Sequence, residues 1–313
     1  MNIEQLTPTQ DWVDQRSNYI GGSEVAAVLG RSQYSTPLQV WMQKKGLLPP
    51  KEQTPVMLFG NFFEHILTSY FESCTGLKTR KVSKPFVHPE HSFLRANIDR
   101  QVLADPDKGL DSTAVLELKT TTSHRLRALD GELPTEWTLQ VQHYLALTGY
   151  ACGYLFIYER DTCEFLEPIL IERDEDLIIE IESKLVEWWN TYMLDDSEGR
   201  RPEPINGEDA LLLYPESEDS KVLEITPGGY ALYQELQSLR ERKDELLQME
   251  EALKTKLKEK LGKAERLVVA GKTLVSWKSQ TSTRLDSAAI RREHPEFYKQ
   301  YSITQSTRRF LCH

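Results

Sequence analysis

Residues Phe93 to Thr122, FLRANIDRQVLADPDKGLDSTAVLELKTTT, admit few arrangements other than two short strands joined by a turn-rich loop. In the first half Leu94, Ala96, Ile98 and Val102 fall on one face, and Arg95, Asn97, Asp99 and Gln101 on the other. In the second half Leu116 and Leu118 oppose Val115, Glu117, Lys119 and Thr121, because successive side chains of a strand alternate. Asp105, Pro106, Asp107, Gly109 and Asp111 have the composition of the connection. Asp99, Glu117 and Lys119 are therefore expected on one polar face. Carboxylates projecting from neighbouring strands can share a hard divalent cation such as Mg²⁺. A lysine two positions on can orient an attacking water or offset charge on a phosphate. The same letters also describe an amphipathic hairpin with a solvated face and an ordinary Glu-Lys pair.

Four further pieces frame the hairpin in order: Arg16 to Ser23 (RSNYIGGS), Glu64 in FGNFFEH, Gln140 in LQVQHY, and Tyr144 at the end of that segment. With Asp99 and Glu117-Leu118-Lys119 they resemble the PD-(D/E)xK nucleases, in particular the phage-type exonucleases of the lambda exonuclease and YqaJ recombinase group, over roughly residues 12 to 195. Asn97-Ile98 stands before Asp99 where many relatives carry proline, a departure that removes no ligand. The resemblance implies an α/β fold: a PD-(D/E)xK core with a mixed β-sheet flanked by helices, extended by a C-terminal helical arm and a small α+β region. It implies a metal-dependent exonuclease that degrades double-stranded DNA from an end, 5′ to 3′, in phage-type homologous recombination. Asp99, Glu117 and the backbone carbonyl of Leu118 would hold metal, with Glu64 completing a second site for two Mg²⁺ ions or Mn²⁺ in their place. Lys119 would position the water, Gln140 and Tyr144 would steady that water, a carboxylate or the scissile phosphate, and Arg16 with Ser23 would bind the terminal 5′-phosphate. The resemblance further implies a homo-oligomer, a ring of three subunits around DNA, and a single-strand annealing protein that takes up the 3′ strand.

The residues support much of this locally. Gly21-Gly22-Ser23 precedes the apolar run Val25 to Leu29, which closes at Gly30, so a short helix with Ser23 near its start is expected. Helix starts suit anions, and Arg16 lies seven residues earlier; a plain cap and a surface arginine fit equally well. Thr36-Pro37 opens a second helix through Trp41 that ends near Gly46. Apolar residues from Leu58 to Phe71 recur over a wide arc of a third helix, where Gly60 leaves Glu64 unobstructed one turn later. Glu136 to Leu147 is a helix with Gln140 and Tyr144 on one face. Tyr154 to Tyr158 and Phe165 to Glu172 read as strands, and Asp174 to Met193 as a long helix whose Trp188 and Trp189 are core or subunit-contact residues.

A net charge of -10 in 313 residues requires a DNA-binding chain to concentrate its positive charge. Arg80, Lys81 and Lys84 form one local basic stretch, and His124, Arg125 and Arg127 another. Four cysteines without C-x-x-C spacing argue against a structural zinc or an iron-sulphur cluster. No apolar run is long enough to span a bilayer and the first residues lack a signal peptide's pattern, so no membrane is expected and the cytoplasm is, that of a bacterial host if the chain is phage- or prophage-encoded.

The organisation reads as an exonuclease core over 1-195, a linker over 196-228 and a C-terminal helical arm with a small α+β extension over 229-313. In the arm, Leu232, Leu239, Leu246 and Leu253 repeat every seven residues, while Lys243 and Glu250 interrupt the companion seam of Leu236 and Leu257, as in a helical hairpin or a weak coiled coil. Strands over Lys272 to Lys278 and Tyr301 to Leu311 flank a helix near Asp286 to Glu293, and Arg291-Arg292 with Arg308-Arg309 form a basic cluster. Two other functions fit the same chain: a nicking or structure-specific endonuclease, and a catalytically inactive DNA-binding scaffold.

Overall fold

Two eight-residue segments, AVLELKTT (Ala114–Thr121) and CGYLFIYE (Cys152–Glu159), pair in parallel from Val115 opposite Gly153 to Thr121 opposite Glu159. Parallel neighbours need both faces covered and a long connection. The chain supplies both. The computed structural model describes residues 16–49, 54–128, 132–194, 199–218, 221–303 and 310–312. Contacts divide the chain into two units, residues 1–213 and 214–313.

In the first unit the strands are β1 (Ile20–Gly21), β2 (Thr79–Arg80), β3 (Phe86–Val87), β4 (Leu94–Ala96), β5 (Arg100–Val102), β6 (Ala114–Thr121), β7 (Cys152–Glu159), β8 (Glu164–Phe165) and β9 (Ile169–Glu172). The main sheet runs β2-β5-β6-β7-β8, with β9 also on β7; only the β6–β7 pair is parallel. A small sheet, β1-β4-β3, stands apart. The helices are α1 (Gly22–Val28), α2 (Pro37–Lys44), α3 (Pro55–Thr75), α4 (Ser123–Ala128), α5 (Thr135–Thr148), α6 (Glu175–Tyr192) and α7 (Gly207–Leu213).

Helices cover both faces of the main sheet. On one, Trp137, Val141 and Leu145 of α5 pack with Val115, Leu155 and Ile157. On the other, Leu67 and Phe71 of α3 pack with Leu116, Phe156 and Tyr158. A third cluster joins α1 to α6 through Val25, Ala26, Ile181, Leu185 and Trp189, which places Trp188 and Trp189 in the core. The mixed α/β core expected from the sequence is the fold observed. Local starts follow the residues: Thr36 caps α2 by accepting from Gln39 N at 3.1 Å, Thr54 caps α3 and Asp174 caps α6. No described helix is long and apolar enough to cross a membrane.

Several expected elements are broken. The first strand of the central hairpin is two strands, β4 and β5, in different sheets, separated by Asn97, Ile98 and Asp99. Leu94, Ala96, Ile98 and Val102 are buried as the alternation requires. Gln101 is buried too, because its side chain accepts from Arg80 Nη2 at 2.6 Å and donates to the Tyr150 hydroxyl. Phe165 to Glu172 splits into β8 and β9 around Pro168, which has no N–H to continue a ladder. The wide apolar arc of α3 is only half used: Phe59, Phe62 and Ile66 remain exposed.

In the second unit α8 (Pro227–Leu261) starts at Thr226, whose side chain accepts from Gly229 N, and ends at Gly262. A hairpin of β10 (Arg266–Val269) and β11 (Lys272–Ser276) turns at Ala270 and Gly271, both at positive φ. Two short helices follow, α9 (Ser287–Glu293) and α10 (Pro295–Tyr301). Tyr301 therefore ends a helix and does not begin a strand; the rest of that expected strand, with Arg308 and Arg309, lies largely outside the described residues.

Asp209 of α7 has no exposed surface and holds the N-terminal part of the first unit through Thr36 Oγ1 at 2.8 Å, while also accepting from Ile205 N at 3.0 Å. Removing a buried charged acceptor strands its donors. Asp209→Ala is expected to lower stability by about 3 kcal/mol, read from urea denaturation.

Candidate active site

Glu117 sits at the middle of β6, on the face that α5 covers, and is 3 % exposed. The polar face expected at this point is thus roofed by a helix. A carboxylate in that position requires partners, and α5 with Lys119 supplies them. Lys119 Nζ donates to Glu117 Oε1 at 2.5 Å and to Gln140 Oε1 at 2.9 Å. The Gln140 amide nitrogen donates back to Glu117 Oε1 at 2.8 Å and to the Tyr144 hydroxyl at 2.8 Å. All of these bonds leave the second oxygen, Glu117 Oε2, buried without a partner among the described residues.

Asp99 reaches the same place from the break between β4 and β5. The β5–β6 ladder stops at Arg100 opposite Leu116. Beyond it the β6 edge has no neighbouring strand from β5, and Asp99 Oδ2 takes the Leu118 N–H at 2.9 Å. The Leu118 carbonyl lies on that same edge, since N–H and C=O of one strand residue point to one side. Burial, followed by the Glu117 charge, pushes the Asp99 carboxyl well above the usual carboxylate range, against the pull of the Leu118 N–H and Lys119; Glu64 adds to the rise.

Glu64 comes from α3 on the opposite face of the sheet, half-buried, and acts on Asp99 through its charge. Among the described residues no three His, Cys, Asp or Glu side chains converge as a finished metal cage. The donor set nevertheless suits a hard cation: two carboxylates and a carbonyl on one strand edge, with one carboxylate oxygen buried and unpartnered. Asp99, Glu117 and the Leu118 carbonyl would hold such an ion.

Tyr144 is buried, and its pKa is raised well above the ordinary phenol value by burial and then by the Glu117 and Asp99 charges, so the phenol keeps its proton. Its ring lies against α1. A Cβ on Gly22 would stand 2.3 Å from Tyr144 Cε1, so only glycine fits there. Next to Gly22, Ser23 is exposed and accepts from Arg16 Nη2 at 2.7 Å. The two residues expected to grip a phosphate are thus joined to each other, one residue from the wall of the Glu117–Gln140–Tyr144 network. Arg16 is near enough for its charge to act on the Tyr144 hydroxyl.

Sequence reasoning missed what holds that arginine. Lys44 of α2, a buried lysine, donates to the carbonyls of Arg16, at 3.1 Å, and Tyr19, and to both oxygens of Glu24. Glu24 Oε2 also accepts from Gly21 N at 2.9 Å. Burial lowers the Lys44 pKa while Glu24 opposes the shift. Glutamate three residues after Gly21 is capping spacing and was readable; nothing in the spacing marks Lys44. His143, beside Tyr144, is fully buried with its pKa lowered to about 4 by burial, and its Nε2 lies 3.1 Å from the Arg95 carbonyl. It is a neutral packing residue.

Comparison with known proteins shows what this chain is similar to. Residues 11–151 match the YqaJ-like viral recombinase domain. The chain is 29% identical over 309 residues to the uncharacterized protein YqaJ of Bacillus subtilis (strain 168), covering 96% of this chain and 92% of that one. Among solved structures it is similar to an alkaline exonuclease, LHK-Exo, from Laribacter hongkongensis, at 21% identity and a TM-score of 0.48 over 59% of this chain and 93% of that one. LHK-Exo in complex with dAMP gives a TM-score of 0.49 at the same identity.

A raised carboxyl pKa means that the folded protein holds a proton the unfolded chain releases, so ion-free stability falls as pH climbs from the ordinary carboxylate range toward the raised value. A cation competes with that proton. Mg²⁺ or Mn²⁺ is expected to raise Tm more at pH 8 than at pH 6. In Asp99→Asn the ion-free Tm should rise by about 2–4 °C per kcal/mol of relieved repulsion and the cation-dependent shift should vanish in calorimetry.

Proposed function

We propose that this chain, whose residues 11–151 form a YqaJ-like viral recombinase domain, is a divalent-metal-dependent deoxyribonuclease that degrades duplex DNA from 5′ ends during phage-type recombination. The observation that carries the reading is the meeting of the Glu117–Lys119–Gln140–Tyr144 network with Asp99 on one side and the Arg16–Ser23 pair on the other.

In this reading each side chain has a defined task. Arg16 presents its guanidinium to the terminal phosphate, and Ser23, which accepts from Arg16, gives its own proton to a phosphate oxygen. Lys119 spends two of its three ammonium protons on Glu117 and Gln140. The third is left to orient the water that attacks phosphorus. Gln140 holds Glu117 Oε1 and Tyr144 in place, so that Glu117 Oε2 faces the reacting atoms in one orientation. A divalent ion at Asp99, Glu117 and the Leu118 carbonyl, with Glu64 toward a second ion, would lower the pKa of water and offset charge on the phosphate. Water adds to phosphorus, the bond to O3′ breaks, and a nucleoside 5′-monophosphate leaves with the next 5′-phosphate exposed.

A ring of three subunits would keep the enzyme on its strand, and a single-strand annealing protein would take the 3′ strand it exposes. The resemblance read in the sequence supports both. The endonuclease alternative is disfavoured by the Arg16–Ser23 pair, which serves a terminus and has no use within a continuous duplex.

The test is digestion of linear duplex DNA with and without a 5′-phosphate, in Mg²⁺ and in chelator, beside a covalently closed circle. Degradation of the linear form alone, faster when phosphorylated and only with metal, is the expected result; cutting of the circle would replace this reading with an endonuclease. Glu117→Ala and Lys119→Ala should each lose about 10³-fold or more in kcat, whereas Arg16→Ala should retain turnover and lose the preference for a phosphorylated end. Gly22→Ala should lower kcat more than it raises KM, because the added methyl displaces Tyr144.

A further inference from the structure

α8 is thirty-five residues long, about 52 Å at the usual rise, and one of its faces carries leucines that the described residues of its own unit leave exposed. Leu232, Leu239, Leu246 and Leu253 are 68, 52, 65 and 61 % exposed, and Leu257 follows on the companion seam with Leu236. The midpoint of this face is a surface concavity lined by Leu239, Arg242, Lys243, Leu246, Leu247 and Glu250. Polar residues at two successive core positions decide which occupant the face accepts.

We infer that this face pairs α8 with α8 of a second copy of the chain in an antiparallel coiled coil. A parallel pair places identical residues opposite each other, so Lys243 would meet Lys243 and Glu250 would meet Glu250 inside the seam. An antiparallel pair over the full seam sets Leu232 against Leu257 of the second copy, Leu236 against Leu253, Leu239 against Glu250, and Lys243 against Leu246. Lys243 then lies one layer from Glu250 of the other helix, twice by symmetry, and can extend its ammonium to that carboxylate while its stem packs on leucine. On the flank, Glu235 faces Lys256 of the second copy, also twice. Within one helix Glu250 also pairs with Lys254 at 2.6 Å. Both interhelical charge relations are attractive in the antiparallel direction, and the seam pairs are repulsive in the parallel one. Direction and partner follow from the same residues.

This pairing is independent of the nuclease reading and of any assembly of the first unit. The experiment is the mass of the full-length protein by sedimentation across a concentration series, with far-UV circular dichroism to follow helix content. Leu239→Asp with Leu246→Asp should halve the mass, whatever the assembly of the rest of the chain, without loss of helix. Lys243→Glu should weaken association at least about tenfold through like charges in the seam, and Lys243→Glu with Glu250→Lys should restore it, because the swapped pair still meets across an antiparallel seam. An unchanged mass in the leucine variant overturns the interface. Equal behaviour of the single and double charge variants overturns the antiparallel direction.

Discussion

A carboxylate buried beneath a helix is the constraint from which the rest of the first unit follows. Glu117 cannot occupy the covered face of β6 without compensation, and its neighbours are arranged around that need: Lys119 two residues along the strand, Gln140 above it and Tyr144 one turn further on. Tyr144 in turn needs the space that Gly22 leaves. The network satisfies one Glu117 oxygen twice over and the other not at all among the described residues. Such an imbalance costs stability in a purely structural residue, and it makes sense where an external electrophile completes the set.

The second device is a strand that stops early. If β4 and β5 were continuous, Asp99 would be one more alternating side chain and the edge of β6 would be sealed by ladder bonds. The interruption at Asn97 to Asp99 instead lets the Asp99 side chain take the Leu118 N–H itself. A local loss of backbone pairing thus converts part of a sheet edge into a place where carboxylate and carbonyl oxygens are both presented.

Much of this was legible in the sequence, for identifiable reasons. Alternation around Leu94 to Val102 reports which apolar side chains are buried, and capping residues such as Thr36 and Asp174 mark helix starts, because both are local effects; along β6 alternation fails, since Glu117 is buried beside Leu116. The break in the first strand carries no local mark: it depends on a side chain bonding a backbone group nineteen residues away. Gln101 read as polar surface because its partners, Arg80 and Tyr150, are distant in sequence. Arg16, Ser23, Gln140 and Tyr144 were found through their order along the chain and their likeness to a family. Lys44 was invisible on either ground, since burying a lysine makes sense only once the carbonyls it serves are known.

That lysine has a consequence for how the pocket comes into being. The turn that carries Arg16 and Ser23 is held in shape by an ammonium from α2, more than twenty residues further along the chain than the turn's first carbonyl. Helix propensity and the Gly21–Glu24 cap can start α1 alone, but the Arg16 and Tyr19 carbonyls are drawn together by a side chain that is distant in sequence. The tie between this turn and α2 is therefore a product of assembly: a nascent chain or a fragment that ends before Lys44 contains Arg16 and Ser23 without the ammonium that bonds the Arg16 and Tyr19 carbonyls.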